Sequence, residues 1–224
     1  RDWSSDVCSS DLVHVNSHGY WPALRLWPSL TAAGLTDVTI TEGSAPTNAA
    51  AYDNGVVTAQ CLRHNLPAAA FPAQQSDAAL GLLRQLYPTI EPTANVLQTG
   101  FAGLNMLVHA AMGLLNIGWF DRAEAAGETA SFYGKGSTRH TGRLAEAQDA
   151  ERRSVCAAYG VGWRGLAQYL RDYSGARGDT IEALVRGCDY YQSLAAQPPD
   201  AWRRWLGSDV PYAHVPFVAL AELA

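Results

Sequence analysis

The sequence has little charge and no run of one sign. Charged residues make up 17% of its 224 residues, the formal net charge is −5, and lysine and arginine form no run longer than an adjacent pair. Because nucleic-acid binding depends on concentrated positive charge, this composition argues against a general nucleic-acid-binding protein. With 48% hydrophobic residues, the chain suits a globular protein of one domain and part of a second.

Cysteine is scarce as well. Cys8, Cys61, Cys156 and Cys188 have neither the spacing of metal ligands nor that of a disulfide framework. We therefore predict no metal site and expect reduced thiols, which makes the cytoplasm the expected location. No run of about 18 apolar residues lacks a polar interruption, so we expect no membrane partner.

Several motifs that identify enzyme classes are missing. The sequence contains no G-x-G-x-x-G, H-E-x-x-H, G-x-S-x-G or C-x-x-C. The segment F-Y-G-K-G-S-T at residues 132–138 lacks the spacing of a phosphate-binding P-loop. We interpret it as a turn that starts a helix, with contact to a ligand as the alternative.

The first twelve residues, RDWSSDVCSSDL, have no hydrophobic period and repeat S-S-D. They are similar to translated sequencing-adaptor DNA, so we exclude residues 1–12 from the fold prediction. From there to about residue 92, short apolar runs at 13–15, 37–41, 56–62 and 68–71, of which 37–41 is rich in β-branched residues, predict strands, and residues 23–33 and 76–86 predict helices. This alternation predicts part of an α/β domain. Residues 93–224 are predicted to be mainly helical. Within them, Thr138 or Thr141 is predicted to start a helix, and the charged residues expected on its outer face are Arg143, Glu146, Asp149, Glu151, Arg152 and Arg153.

The longest apolar stretch runs from Asn95 to Asp121 and predicts a buried helix. Asn105, His109 and Asn116 interrupt it at spacings of four and seven, which place them on one helix face. A buried imidazole needs hydrogen-bond partners, and histidine is the usual acid or base near neutral pH. The helix alone leaves two interpretations of His109 open: a core histidine whose ring nitrogens are hydrogen-bonded, or an acid–base group.

A second candidate lies near the end of the chain, in R-W-L-G-S-D-V-P-Y at residues 204–212. Asp209 precedes Val-Pro, which favours an extended backbone. A carboxylate held there can orient an imidazole and stabilise its charged form. The alternative is a carboxylate that caps a loop.

The order of these motifs resembles the C-terminal helical domain of the octopine/nopaline (opine) dehydrogenase family. The resemblance covers residues 35–224 and rests on four motifs: N-x-x-x-H-x-x-x-x-x-x-N-x-G, F-Y-x-x-G, D-x-E-R and R-x-L-x-x-D-V-P-Y-x-x-V-P. The matching residues are Asn105, His109, Asn116, Gly118, Phe132, Tyr133, Gly136, Asp149, Glu151, Arg152, Arg204, Leu206, Asp209, Val210, Pro211, Tyr212, Val215 and Pro216.

The resemblance implies two domains and a redox cofactor. Residues 13–92 would be the α/β tail of a Rossmann domain for NAD or NADP, without its glycine fingerprint and first βαβ unit. Residues 93–224 would form the catalytic helical domain, similar to the C-terminal domain of 6-phosphogluconate dehydrogenase. The partners would be an amino acid and a 2-keto acid, condensed through an imine that is reduced by hydride, or the reverse oxidation of the secondary amine. Whether this chain by itself binds the cofactor and is active stays open.

The resemblance also implies roles for particular residues. His109 would be the general acid and base, and Asp209 its orienting partner. The implied substrate-binding residues are Arg204, Asn105, Asn116 and Tyr212. Residues that bind the cofactor are not assigned.

Two alternatives remain at this point. The chain can instead be a non-catalytic helical module for dimerisation or ligand binding, with His109 in the core, or a related hydroxy-acid dehydrogenase. The distance between His109 and Asp209 is the simplest discriminator for the first alternative. The sequence does not distinguish NAD from NADP, identify the substrates or indicate an oligomeric state.

Overall fold

The computed structural model describes residues 11–16, 20–193 and 200–224. The chain divides into two compact units, Arg1–Gly103 and Leu104–Ala224, whereas we placed the domain boundary at about residue 92. Cys8 and most of the adaptor-like segment lie outside the described residues. Leu12, which we assigned to that segment, is the first residue of a strand.

The first unit is the α/β part of the chain. Its strands are β1 (Leu12–Val15), β2 (Thr39–Gly43), β3 (Asn48–Asp53), β4 (Val56–Leu62), β5 (Leu66–Phe71) and β6 (Ile90–Pro92). Its helices are α1 (Pro22–Ala32), α2 (Ser76–Leu86) and α3 (Val96–Phe101). The predicted α/β segment is confirmed, but the strand β3, with the sequence N-A-A-A-Y-D, was not predicted.

Four of these strands form one mixed sheet in the order β1-β2-β5-β6. β1 and β2 are parallel, with α1 between them in the chain, and β5 runs antiparallel to β2 and parallel to β6. β3 and β4 form a separate antiparallel hairpin. Buried apolar residues of α1, β5 and α3, together with those of β2 and the residue before it, form one core cluster, namely Ala23, Leu30, Val38, Ile40, Ala69 and Val96.

One buried side chain in this unit is acidic. Glu42, in β2, is fully buried, and its Oε2 accepts the backbone N–H of Ala23 at 2.8 Å, in the first turn of α1. Among the described residues, Oε1 has no hydrogen-bond partner. Burial raises the pKa of the Glu42 carboxyl to about 8, against the smaller opposing effect of the Ala23 N–H.

We expect this carboxyl to make stability depend on pH. The raised pKa means that unfolded chains release the proton at a lower pH than folded ones. The free energy of unfolding should therefore fall as pH rises from about 5 to about 8 and then level off. Each unit of raised pKa corresponds to about 1.4 kcal/mol, so the total is on the order of a few kcal/mol. Urea denaturation at several pH values measures it.

Glu42→Gln keeps an acceptor for Ala23 but does not ionise, so the variant should lose this pH dependence. Glu151→Gln, at an exposed position, is the matched control and should keep it. Equal slopes in Glu42→Gln and the unchanged chain would show that Glu42 does not control the pH dependence.

The second unit is helical, as predicted. Its helices are α4 (Asn105–Leu115), α5 (Ile117–Ala125), α6 (Arg139–Ala158), α7 (Leu166–Ser174), α8 (Ile181–Arg186), α9 (Asp189–Ser193), α10 (Ala201–Asp209) and α11 (Val215–Leu223). Thr138 caps α6 and forms a reciprocal capping box with Thr141, so the predicted start of this helix is confirmed.

The single helix predicted for Asn95–Asp121 is wrong, because the stretch forms α3, α4 and α5. Asn116 accounts for the break between α4 and α5. Its side-chain Nδ2 donates to the carbonyl of Met112 at 2.8 Å, the acceptor that its own backbone N–H would use in a continuing helix.

No single described helix is long and apolar enough to cross a membrane. Two consecutive helical segments, Val96–Leu115 and Ile117–Ala125, reach that length and apolarity only when taken together, and they are bent by 64° relative to each other.

The outer face predicted for α6 is also partly wrong. Asp149 and Arg152 are buried, with 8% and 1% of their surfaces exposed. Asp149 Oδ1 accepts from Arg152 Nε at 2.9 Å, and Asp149 Oδ2 accepts the backbone N–H of Leu166 at 2.7 Å, at the start of α7. Arg152 Nη2 also donates to the carbonyl of Arg164 at 2.7 Å. The pair therefore joins α6 to the loop that starts α7.

The extended backbone predicted around Asp209 is wrong. Asp209 is the last residue of α10, and the chain continues through a π-helical turn (Val210–His214) into α11. Even Val210, which precedes Pro211, keeps helical angles, with φ −66° and ψ −57°. Pro211 and Pro216 each lie in the first turn of their element.

Candidate active site

The site is built around His109, in the middle of α4. Every residue from Met106 to Gly113 is buried, and His109 itself is 6% exposed. Its apolar neighbours provide little solvation, so both ring nitrogens need partners.

Both ring nitrogens of His109 have a hydrogen-bond partner. Nδ1 lies 2.8 Å from Asp209 Oδ2, and Nε2 lies 2.7 Å from the hydroxyl oxygen of Tyr133. An ionised carboxylate only accepts, so Nδ1–H is the donor to Asp209. In the neutral imidazole Nε2 is then an acceptor, and the Tyr133 O–H donates to it. The three side chains form one hydrogen-bonded chain.

Helix α10 supplies the carboxylate and one wall of the site. Asp209 is 5% exposed at the end of α10. Trp205, one turn earlier on the same face, stacks on the imidazole with ring centroids 5.0 Å apart and an interplanar angle of 28°. Phe132 meets the imidazole edge-on at 5.9 Å. The ring therefore cannot turn without losing aromatic contacts.

The glycine-rich turn at residues 132–138 holds Tyr133 in place. A Cβ on Gly136 would lie 2.3 Å from the carbonyl oxygen of Phe132, so only glycine fits there. Asn116 Nδ2 donates to the carbonyl of Gly136 at 3.0 Å, and Arg186 donates to the carbonyls of Gly134 and Ser137. The turn is thus tied to the end of α4 and to α8.

Tyr133 is the site residue that sequence reasoning missed. Its motif, F-Y-x-x-G, was recognised, but no spacing rule indicates that its hydroxyl faces an imidazole 24 residues earlier. An aromatic pair beside a glycine-rich turn was the only sign in the sequence.

The other predicted site residues lie on α4, on α10 and in the turns that follow these helices, and they differ in exposure. Asn105 is the first residue of α4, one turn before His109, and is half-buried. Arg204 is exposed on α10, with its guanidinium 5.8 Å from the Trp205 ring centroid. Tyr212 is 50% exposed in the π-helical turn. Asn116 lies beyond the end of α4, and its amide holds the glycine-rich turn.

The described residues do not form a pyrophosphate site at α1. Dinucleotide-binding folds place that group at a helix N-terminus that follows the first strand. Here the Ala23 N–H at the start of α1 is bound to Glu42, and no glycine fingerprint precedes it. No group of three or more His, Cys, Asp or Glu side chains within residues 11–16, 20–193 and 200–224 is placed to hold a metal ion.

Comparison with known proteins gives consistent matches. Residues 92–224 match the family described as NAD/NADP octopine/nopaline dehydrogenase, alpha-helical domain. An opine dehydrogenase of Arthrobacter sp. (strain 1C) is 27% identical over 220 residues, which cover 98% of this chain and 60% of the relative. The chain therefore spans about three fifths of that protein's length.

Two solved structures share the fold. Octopine dehydrogenase in complex with NADH and agmatine matches with a TM-score of 0.74 and 18% identity, over 97% of this chain and 59% of that one. Yersinopine dehydrogenase without ligand matches with a TM-score of 0.60 and 17% identity, over 91% and 51%. More than half of the sequence lies in the family match, so the chain belongs to the octopine/nopaline dehydrogenase family, and residues 92–224 are its α-helical domain.

Proposed function

We propose that this chain is the helical domain and part of the cofactor domain of an NAD(P)-dependent opine dehydrogenase. The reaction is the reductive condensation of an amino acid with a 2-keto acid, or the reverse oxidation of the secondary amine. The buried hydrogen bond between His109 and Asp209 carries the proposal, because a core histidine needs no ionised partner. The activity is proposed for a protein of the relatives' length.

His109 moves the protons of the condensation. Asp209 holds the proton on Nδ1, which leaves Nε2 basic. The imidazole takes a proton as the amine attacks the keto carbon, and as imidazolium it returns one to the carbinolamine oxygen, which leaves as water. The dinucleotide supplies the hydride that reduces the resulting imine.

Charged and polar residues around the pair are proposed to bind the substrates. Both substrates carry carboxylates, which suit the planar fork of a guanidinium. Arg204 presents such a group on α10, the helix that carries Asp209. Asn105 and Tyr212 are proposed as further substrate contacts, and Asn116 as a residue that acts on the substrate only by holding the glycine-rich turn.

Turnover assays test the proposal. We expect a version of the protein extended to the relatives' length to oxidise NADH or NADPH with at least one pair of an amino acid and pyruvate or 2-oxoglutarate. His109→Ala should lower kcat at least about 10²-fold, since the acid–base group is lost.

The matched control is His140→Ala, at an exposed position on α6, which should turn over normally. Turnover of His109→Ala at the unchanged rate would make His109 a core residue. Oxidation of hydroxy acids without any reaction of amines would favour the hydroxy-acid dehydrogenase instead.

A further inference from the structure

The hydroxyl of Tyr133 is hydrogen-bonded to Nε2 of His109, the nitrogen that is proposed to exchange protons with the substrate. In the neutral imidazole Nε2 has one lone pair, and the Tyr133 O–H, 2.7 Å away, uses it. Nδ1 is committed to Asp209. A substrate proton can therefore reach His109 in two ways: Tyr133 moves aside, or the proton passes through its hydroxyl.

The surroundings of Tyr133 oppose the first route. The ring is 7% exposed and lies parallel to Tyr191, with centroids 4.4 Å apart and an interplanar angle of 8°. It also meets Phe132 edge-on at 5.0 Å. The turn that carries it is fixed by Asn116 and Arg186. Moving the ring would break both aromatic contacts and the hydrogen bond to His109.

We propose that Tyr133 is a catalytic residue that relays protons between His109 and the substrate; this inference rests on the proposed function. A phenol hydroxyl both donates and accepts, so it suits a relay. When water leaves the carbinolamine, the proton on Nε2 passes to the Tyr133 oxygen, and the Tyr133 proton passes to the substrate hydroxyl. The C–O bond breaks, the lone pair of the substrate nitrogen forms the C=N bond, and Tyr133 ends as it began.

Tyr133→Phe in the extended protein tests the relay. We expect kcat to fall about 10²-fold, while KM changes far less, because the hydroxyl acts on the proton and not on substrate affinity. Rates measured in mixtures of H2O and D2O supply a readout that packing alone would not move. A relay transfers two protons together, which gives a curved dependence on deuterium content, and the variant should lose that curvature.

Tyr159→Phe is the matched control. Its hydroxyl donates to the carbonyl of Leu220 at 2.8 Å, so the substitution removes an equivalent hydrogen bond in the same unit without touching His109. This variant should keep both kcat and the curved dependence. If Tyr133→Phe does not fold, a fluorinated tyrosine at position 133, which is a more acidic phenol, should shift the alkaline limb of the kcat–pH profile to lower pH.

The outcomes separate the relay from the proposed function. An unchanged kcat and isotope dependence in Tyr133→Phe, or faster turnover, would overturn the relay while leaving the loss in His109→Ala intact. An unshifted kcat–pH profile in the protein with fluorinated tyrosine would likewise overturn the relay. Absence of turnover in the unsubstituted extended protein would overturn the proposed function and the relay with it.

Discussion

Replacement of Asp209 by asparagine is expected to reduce kcat by roughly 10³-fold or more, the largest effect of a single substitution on activity that we predict. Asp209 accepts the Nδ1–H of His109 at 2.8 Å and thereby leaves Nε2 of the neutral imidazole without a proton. An asparagine amide can donate to Nδ1, which would place the proton on Nε2 and remove its basicity. Because the two side chains have nearly the same shape, the loss reflects the tautomer and not the packing.

Two measurements check this expectation. Steady-state kinetics of the extended protein give kcat with the productive substrate pair. Nitrogen-15 NMR of the imidazole in the 224-residue chain reports which nitrogen of His109 is protonated, without requiring turnover. Asp200→Asn, at the exposed residue before α10, is the matched control and should change neither. A variant Asp209→Asn with normal kcat and an unchanged tautomer would refute the orienting role.

The second large effect concerns stability. Arg152→Leu is expected to lower the free energy of unfolding by about 3–5 kcal/mol, because Asp149 would remain buried as an uncompensated charge. Arg152 is 1% exposed, and its guanidinium binds both Asp149 and the carbonyl of Arg164. Denaturant unfolding of the chain, followed by circular dichroism of the helices, measures the loss.

Arg143→Leu, at an exposed position on the same helix, is the control and should change stability by less than about 0.5 kcal/mol. In the double variant Asp149→Leu with Arg152→Leu no buried charge is left, so its loss should be smaller than the sum of the two single losses. Additive losses would mean that the two side chains contribute independently.

Local sequence patterns correctly predicted the elements whose signals lie within a few neighbouring residues. The helix at Ser76–Leu86 was predicted from apolar residues at helical spacing, and the start of α6 from its threonine caps. The patterns failed where a distant contact overrides them. Asp149 and Arg152 have the composition of a solvated face, yet the loop before α7 covers them. Likewise, Val210 precedes a proline but stays helical.

The sequence by itself determined the family, the α/β and helical parts of the chain, and the two residue types at the centre of the site. Periodicity and capping depend on a few neighbouring residues, and the order of motifs is a property of the linear sequence, so neither requires the folded structure. Only the tertiary structure decided that His109 and Asp209, 100 residues apart, meet at 2.8 Å, and that Tyr133 occupies the remaining nitrogen. These contacts depend on how α4, α10 and the glycine-rich turn pack together, and no local pattern encodes that packing.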